Sequence, residues 1–371
     1  MEPEILNAYN ATRDFELKAF QSMCYAPHTS LYFSMDGSVR VCCHNWSHPV
    51  GNISVETLGA IWKGQAVKDI RRALEQSSFA VGCQYCEWQM ATGEFINLSM
   101  QKWDALPVHA KDPAWPLQME FSIGNTCNLE CVMCDGKASS AIRAHREKLP
   151  PIVSPYSDSF FEELRSYLPH LKKARFLGGE PFLQKECFRI WNMLIEDDVT
   201  LPCHITTNGT QFNKRVEGTL EQIPCSISIS LDGYRKKTIE AIRVNAKYDV
   251  LMKNVSAFRE YTRQKRTGYG LTYCLMRPNW EEFGDFCLFA DSLGCHVFVN
   301  AVRRPSHLSL YTLKQDELAR IADSLDRQAL QLLPQLNQNR ATWAGEVERI
   351  RRRATGRSPM IDWVEIKLGK T

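Results

Sequence analysis

The sequence predicts an α/β fold built from six β-then-α units, forming a parallel sheet or an open barrel. Three observations predict it. From about residue 116, six short strand-like stretches alternate with helix-like ones, an order that belongs to parallel architectures. Within those strands polar and apolar residues alternate, whereas parallel strands buried on both faces read as continuous apolar runs. Fourteen cysteines are spread unevenly over 371 residues, so the chain also carries something besides a packed core.

In chain order, residues 1 to about 110 lack the βα rhythm. "SLYFSMDGSVRVCC" carries a hairpin signal with Asp36-Gly37 at its turn. "SVETLGAIWKGQAVKDIRRAL" has a helical pattern with Ser54 and Glu56 near its start. The proline-rich "DALPVHAKDPAWP" reads as a linker. Strands are expected at 117–124, 174–179, 202–209, 225–233, 270–278 and 295–302, with helices such as "FFEELRSYLPHL", "CFRIWNMLIEDD" and "YDVLMKNVSAFREYTRQ" between them. In the fourth strand Ser226, Ser228, Ser230 and Asp232 share one face, and Ile227, Ile229 and Leu231 the other. Gln118, Glu120 and Ser122 alternate in the same way in the first, and His204, Thr206 and Asn208 in the third. The apolar faces are expected to pack on helices and leave a polar inner wall suited to a polar ligand. After about residue 305 the chain reads as helical. Thr312-Leu-Lys-Gln315 fits a capping box before "DELARIADSLDRQAL", and "ERIRRRATGR" reads as a solvated helix face.

Composition excludes several classes of function. Hydrophobic content of 44% and charged content of 23% are those of a globular protein. A net charge of +3, from 45 basic and 42 acidic residues, argues against nucleic acid or an anionic membrane as the main partner. The polar, mixed-charge start is neither a secretory nor a transit peptide, and no apolar run approaches a membrane span, so a cytoplasmic location is expected. In that compartment clustered cysteines point to metal or catalysis rather than disulfides.

The densest cluster is "CNLECVMCDG", where Cys127, Cys131 and Cys134 fall within eight residues directly after the first expected strand. Structural zinc sites close with four ligands. Here three cysteines stand alone, since the next, Cys187, is far along the chain. Three thiolates suit a four-iron cubane with one iron left open, at the mouth where ligands bind in βα folds.

The chain resembles the radical S-adenosylmethionine (radical SAM) enzymes, whose defining motif is Cys-x3-Cys-x2-Cys after the first strand. The resemblance covers roughly 117–302. It implies a partial (β/α)6 TIM-type barrel over 111–310, a 4Fe–4S cluster on those three cysteines, and SAM chelating the open iron. An electron from the cluster, supplied by a reducing protein such as flavodoxin or ferredoxin, then gives a 5′-deoxyadenosyl radical. Met133 stands where the family usually has an aromatic residue, and can pack on adenine. "GGEP" (Gly178, Gly179, Glu180, Pro181) matches the motif that contacts the SAM amino group. "TTNG", with Asn208, and "SLDG", with Ser230 and Asp232, resemble the family's later strand ends. Arg243 sits where members place an arginine against the SAM carboxylate; a surface helix arginine is the other reading.

The N-terminal segment resembles the SPASM/Twitch module, which binds an auxiliary 4Fe–4S cluster. The matching features are Gly37-x4-Cys42, "GNI…IW" and "CQYCEW". The resemblance implies a domain over 1–110 with Cys24, Cys42, Cys83 and Cys86 as ligands, Cys43 rivalling Cys42. Its usual place is after the barrel, and four cysteines binding zinc is the competing reading. The remaining 311–371 form a helical C-terminal extension.

Such an enzyme abstracts hydrogen from an unactivated C–H bond. A carbohydrate-like small molecule is the expected substrate, giving oxidation or epimerisation. The alternatives are a ribosomally made peptide and a non-catalytic iron–sulfur or zinc protein. No separate leader-peptide domain is expected, as the cluster module occupies the N-terminus. Cys274, on the inner face of "GLTYCLMRP", is a candidate hydrogen-atom donor or a small inert lining residue. Ser228, Asn208, His204 and Asn300 furnish polar wall groups, and Arg277, Asn279, Trp280, Arg303 and His307 lie just past strand ends, where substrate contacts fall.

Overall fold

The computed structural model describes residues 3–91, 95 and 98–356. The C-terminal stretch from 357 on, part of the expected extension, lies outside the described residues. Helices α1 (Pro3–Asn10) and α2 (Ala26–Thr29) lead into strands β1 (Ser30–Ser34), β2 (Ser38–Arg40) and β3 (Gly51–Asn52). Helices α3 (Leu58–Trp62), α4 (Gln65–Glu75) and α5 (Gln84–Ala91) follow. Then come β4 (Gln118–Ser122), α6 (Ser140–His145), α7 (Asp158–Tyr167), β5 (Lys173–Phe176), α8 (Lys185–Glu196), β6 (Cys203–Thr207) and α9 (Lys214–Gln222). The chain continues through β7 (Cys225–Ser230), α10 (Lys236–Ile242), α11 (Tyr248–Lys265), β8 (Tyr269–Leu275), α12 (Phe283–Leu293) and β9 (His296–Ala301). It ends in α13 (Gln315–Leu332) and α14 (Arg340–Ala354). All six expected βα strands are present. No helix is long and apolar enough to cross a membrane among the described residues.

The chain divides into two compact units. The first holds residues 1–125, 152–179 and 184–204. Its strand order is β3-β2-β1-β4-β5. The hairpin β1–β2 forms at the expected turn, where Asp36 Oδ1 accepts from Ser38 N at 3.1 Å. Strand β1 pairs in parallel with β4, and β4 with β5. Register then aligns Phe33, Phe121 and Phe176, all fully buried, on one face. Their rings stack at 5.4 and 5.2 Å, and Phe160 of α7 and Trp191 of α8 close over them edge-on. The opposite face carries Ser30, Tyr32, Gln118, Glu120, Lys173 and Arg175, the polar wall expected from the alternation.

The expected single helix over "SVETLGAIWKGQAVKDIRRAL" is two helices. Thr57, rather than Ser54 or Glu56, caps α3 by accepting from Ala60 N, and Gly64 starts α4. Glycine resists helical continuation, so the chain breaks there. At Gly51 a Cβ would come within 2.6 Å of Ile61 Cγ1, which ties the glycine of "GNI" to the "IW" of α3.

The second unit holds 126–151, 180–183 and 205 onward. Parallel β7, β8 and β9 form its sheet, with Ser228 beside Gly270 and Cys274 beside Asn300. The last two helices belong to this unit. Asn339 ties them to β9 by accepting from Val297 N at 2.7 Å and donating to Cys295 O at 2.8 Å. The helix α13 does start near the expected box, but Lys314 is the cap residue. Only the carboxylate half forms, with Lys314 N donating to Glu317 Oε2 at 3.2 Å, because lysine offers no acceptor. In "ERIRRRATGR" the solvated reading holds for Arg351 and Arg352 but not for Arg353, which is buried and donates to Tyr311 O.

Candidate functional site

The cysteine loop of the second unit is held by backbone and hydroxyl groups close to each thiol. Ser139 Oγ donates to Leu129 O at 2.7 Å, and Ser140 Oγ accepts from Cys127 N at 3.1 Å. Glu130 N and Val132 N donate to Val244 O and Ile242 O, at 3.0 and 2.9 Å. Those two acceptors flank Arg243, so the same pairing that shapes the loop brings the guanidinium to it. Arg243 Nη1 lies 3.9 Å from Cys131 Sγ.

Arg243 is buried and makes an ion pair with fully buried Asp232 at 2.6 Å. The surface-helix reading of Arg243 is therefore excluded. Its Nε, also buried, has no hydrogen-bond partner. Asp232 adopts a left-handed backbone (φ 62°) and accepts from Cys274 N at 2.6 Å. Asn279 fixes this corner by donating to Asp232 O and Cys274 O, both at 2.9 Å. Of the expected substrate contacts past strand ends, Asn279 is thus a buried brace, and Arg277 is engaged with Ser309 O and Thr312 Oγ1.

Burial pushes Cys131 up to about 12 against the opposing charge of Arg243, with Cys134 adding to the rise, and burial followed by Cys127 raises Cys134. Cys127 is raised by burial, with Asn208 and Arg243 opposing. Thiolate ligands must lose those protons when a cluster assembles. Met133 packs with Leu129, Cys131 and Ala246, and it also touches the cluster of Ile242, Met276 and Val302 against which Cys274 lies. The Cys274 thiol is held protonated, by burial first and then by the charge of Asp232.

Asn208 is more than a strand-end match. Its Nδ2 lies 3.6 Å from Cys127 Sγ and donates to Asn128 Oδ1 at 3.0 Å. Glu180 carries no exposed surface; it accepts from Asn208 N at 2.7 Å, Thr207 Oγ1 at 2.8 Å and Phe182 N at 3.1 Å. Pro181 opens the turn that supplies the Phe182 donor. In the first unit, Gly178 has φ 100° and a Cβ would sit 3.0 Å from Gly124 O, so glycine is required; Gly179 N donates to Gly124 O. Ser230 pairs in register with Thr272.

Burial pushes the Glu180 carboxyl up to about 7, against the pull of its three donors. A raised carboxyl favours folding when protonated, so its contribution is complete below about pH 4.5 and is lost as pH rises towards about 7. Without SAM, the melting temperature should therefore fall across that window, and Glu180→Gln should flatten this part of the profile. An unchanged profile in the variant would exclude Glu180 as the source.

In the first unit, Cys24, Cys42, Cys83 and Cys86 sense one another's charge: burial and then neighbouring thiols raise Cys42 and Cys86, and burial lifts Cys24 and Cys83 to about 12. Cys43 adds its charge to the rise of Cys42 and Cys86, and Lys102 Nζ lies 3.3 Å from its Sγ. Asn45, 1% exposed, places its amide beside Cys83. Among the described residues no group of three or more His, Cys, Asp or Glu side chains is arranged to hold a metal ion. Lys102 and Asn45 were not legible as site residues, because neither belongs to a motif; Asn128 lies within the cysteine motif, but its pairing with Asn208 comes from a distant segment.

The radical SAM superfamily model matches residues 121–290, and the SPASM iron–sulfur cluster-binding domain matches 24–87. The chain carries a radical SAM domain together with a SPASM iron–sulfur cluster-binding domain. The radical SAM domain implies a 4Fe–4S cluster and SAM, and the SPASM match implies auxiliary clusters. The fold is accordingly the α/β partial TIM-type barrel with a SPASM domain. Among curated proteins this radical SAM chain is similar to GTP 3′,8-cyclase of Haemophilus influenzae (strain 86-028NP), 27% identical over 139 residues, 37% of this chain and 39% of the relative. It is also similar to the probable GTP 3′,8-cyclase of Methanocaldococcus jannaschii, 24% identical over 179 residues, 47% of this chain and 55% of the relative. The match thus spans only about two fifths to a little over half of those relatives. Similar solved structures include Streptococcus suis SuiB bound to precursor peptide SuiA (14% identity, TM-score 0.44, 74% of this chain and 61% of that one). Another is anSMEcpe with bound AdoMet (14% identity, TM-score 0.42, 58% of this chain and 60% of that one).

Proposed function

We propose that this radical SAM enzyme abstracts hydrogen from an unactivated C–H bond of a small, polar, carbohydrate-like molecule in the cytoplasm. In this reading Cys127, Cys131 and Cys134 hold the SAM-binding cluster, and residues 1–110 form the auxiliary module with Cys24, Cys42, Cys83 and Cys86 as ligands. The observation that carries it is the buried Arg243, paired with Asp232 beside Cys131 and left with an unpartnered Nε donor. A carboxylate is what that donor lacks, and SAM has one. Asn208 and Glu180 keep the β6 end against the cysteine loop, and Met133 offers a soft apolar surface for adenine. Bound there, cluster and SAM supply hydrogen-atom abstraction.

Cys274 decides between outcomes. A hydrogen-atom donor must carry S–H, and burial together with Asp232 keeps this thiol protonated. With that thiol as donor the outcome is epimerisation, and without a donor it is net oxidation. Tested on the reconstituted enzyme with its substrate in D2O, the native chain should place deuterium at the inverted carbon. Cys274→Ala should still form 5′-deoxyadenosine but return no epimer. An unchanged epimer yield in that variant would remove Cys274 from the reaction.

A further inference from the structure

The polar face of the first unit's sheet is charged in a way that the cysteines do not explain. Register places Tyr32 of β1, Glu120 of β4 and Arg175 of β5 in one row, with Ser30, Gln118 and Lys173 in the next. Residues paired across parallel strands share a face. Glu120 is buried and receives a hydrogen bond from Gln118 Nε2 at 2.9 Å. Lys102 Nζ lies 3.6 Å from Glu120 Oε1 and Arg175 Nη1 3.8 Å from Oε2, both beyond hydrogen-bond reach. Two cations therefore pair with one carboxylate, each by charge rather than by a hydrogen bond, and Lys173 lies in the next row.

Their mutual repulsion is felt. Partial burial first, then Arg175, lower the Lys173 ammonium's pKa, with Glu120 opposing and Lys102 adding to the fall. His204 adds no charge at neutral pH, since burial and then Arg175 and Lys173 push its imidazole down to about 4. Lys102 shares its proton donors with Cys43. Even with Lys102 set aside, Arg175 and Lys173 outnumber Glu120. The cations, unlike the carboxylate, are reachable: the Arg175 side chain is 30% exposed, and Lys173 is exposed. Ser30 Oγ, in the row of Lys173, is buried with no partner.

We propose that this face binds an anionic group of a small molecule, a phosphate or a carboxylate, through Arg175, Lys173 and Lys102. Glu120 holds the cations in place and, by competing for them, sets how tightly the anion binds. Binding of this kind needs no SAM, so it stands or falls apart from the radical chemistry.

The test is calorimetric titration of the full, anaerobically reconstituted chain with inorganic phosphate and, separately, succinate, at constant ionic strength. One saturable site is expected, and the tighter anion identifies the group. Removing one cation by Arg175→Gln should weaken it about tenfold, and the exposed Lys173→Gln serves as a second variant less able to disturb the fold. Glu120→Gln should act in the opposite direction and tighten binding, which a folding defect cannot do. No saturable binding of either anion, or equal affinity across the variants, would overturn the proposal.

Discussion

Cys131→Ala is expected to abolish formation of 5′-deoxyadenosine and to lower the iron content from about eight to about four per chain. The effect is large because the site has no spare ligand. Cys127, Cys131 and Cys134 are the only cysteines of their loop, and Cys131 is the buried one, held beside Arg243. The matching experiment is Cys86→Ala, which should also lose about four irons yet still cleave SAM, because Cys86 shares its surroundings with Cys24, Cys42 and Cys83. Iron analysis and product chromatography on anaerobically reconstituted protein check both. About eight irons retained in Cys86→Ala would refute the auxiliary-ligand assignment, and bound zinc in the native protein would refute both assignments.

Arg243→Leu should cost about 3–5 kcal/mol of stability. Asp232 is fully buried, and the variant leaves its charge without a partner in a site that water does not reach. For a unit of this size that amounts to a fall of roughly 10 °C in melting temperature. Breaking one member of a buried pair strands the other, whereas removing both relieves the strain. Asp232→Leu combined with Arg243→Leu should therefore recover part of the loss, although Asp232 also anchors Cys274 N. A single variant that melts within a degree or two of the native chain would show that the pair is solvated and would undo the reading of this corner as a sealed carboxylate site.

Much of the fold could be read from the sequence because its signals are local. The alternation in "CSISISLDG" is a property of neighbouring residues, and it places Ser228 and Ser230 opposite Ile227 and Ile229 whatever surrounds the strand. The six strands were each found within a few residues. Boundaries that depend on one residue's side-chain chemistry were less legible. Gly64 splits a helical pattern that periodicity alone runs together, and Lys314 takes a cap position that a Thr-x-x-Gln pattern places two residues earlier.

The sequence by itself determined the spacing of the cysteines and the motifs around them. Cys-x3-Cys-x2-Cys after a strand, with "GGEP" following, specifies three thiolates on one loop, and the chain's own connectivity keeps them together. What only the tertiary structure decided was the environment of that loop. Arg243 reaches Cys131 from 112 residues away because Ile242 and Val244 hydrogen-bond the loop backbone. Glu180 meets Thr207 and Asn208 across 27 and 28 residues. Glu120 meets Arg175 through strand register and Lys102 from a turn before the strand. Such contacts depend on which segments pack together, and that is set by burying apolar faces far from the residues concerned. No spacing in the sequence encodes it.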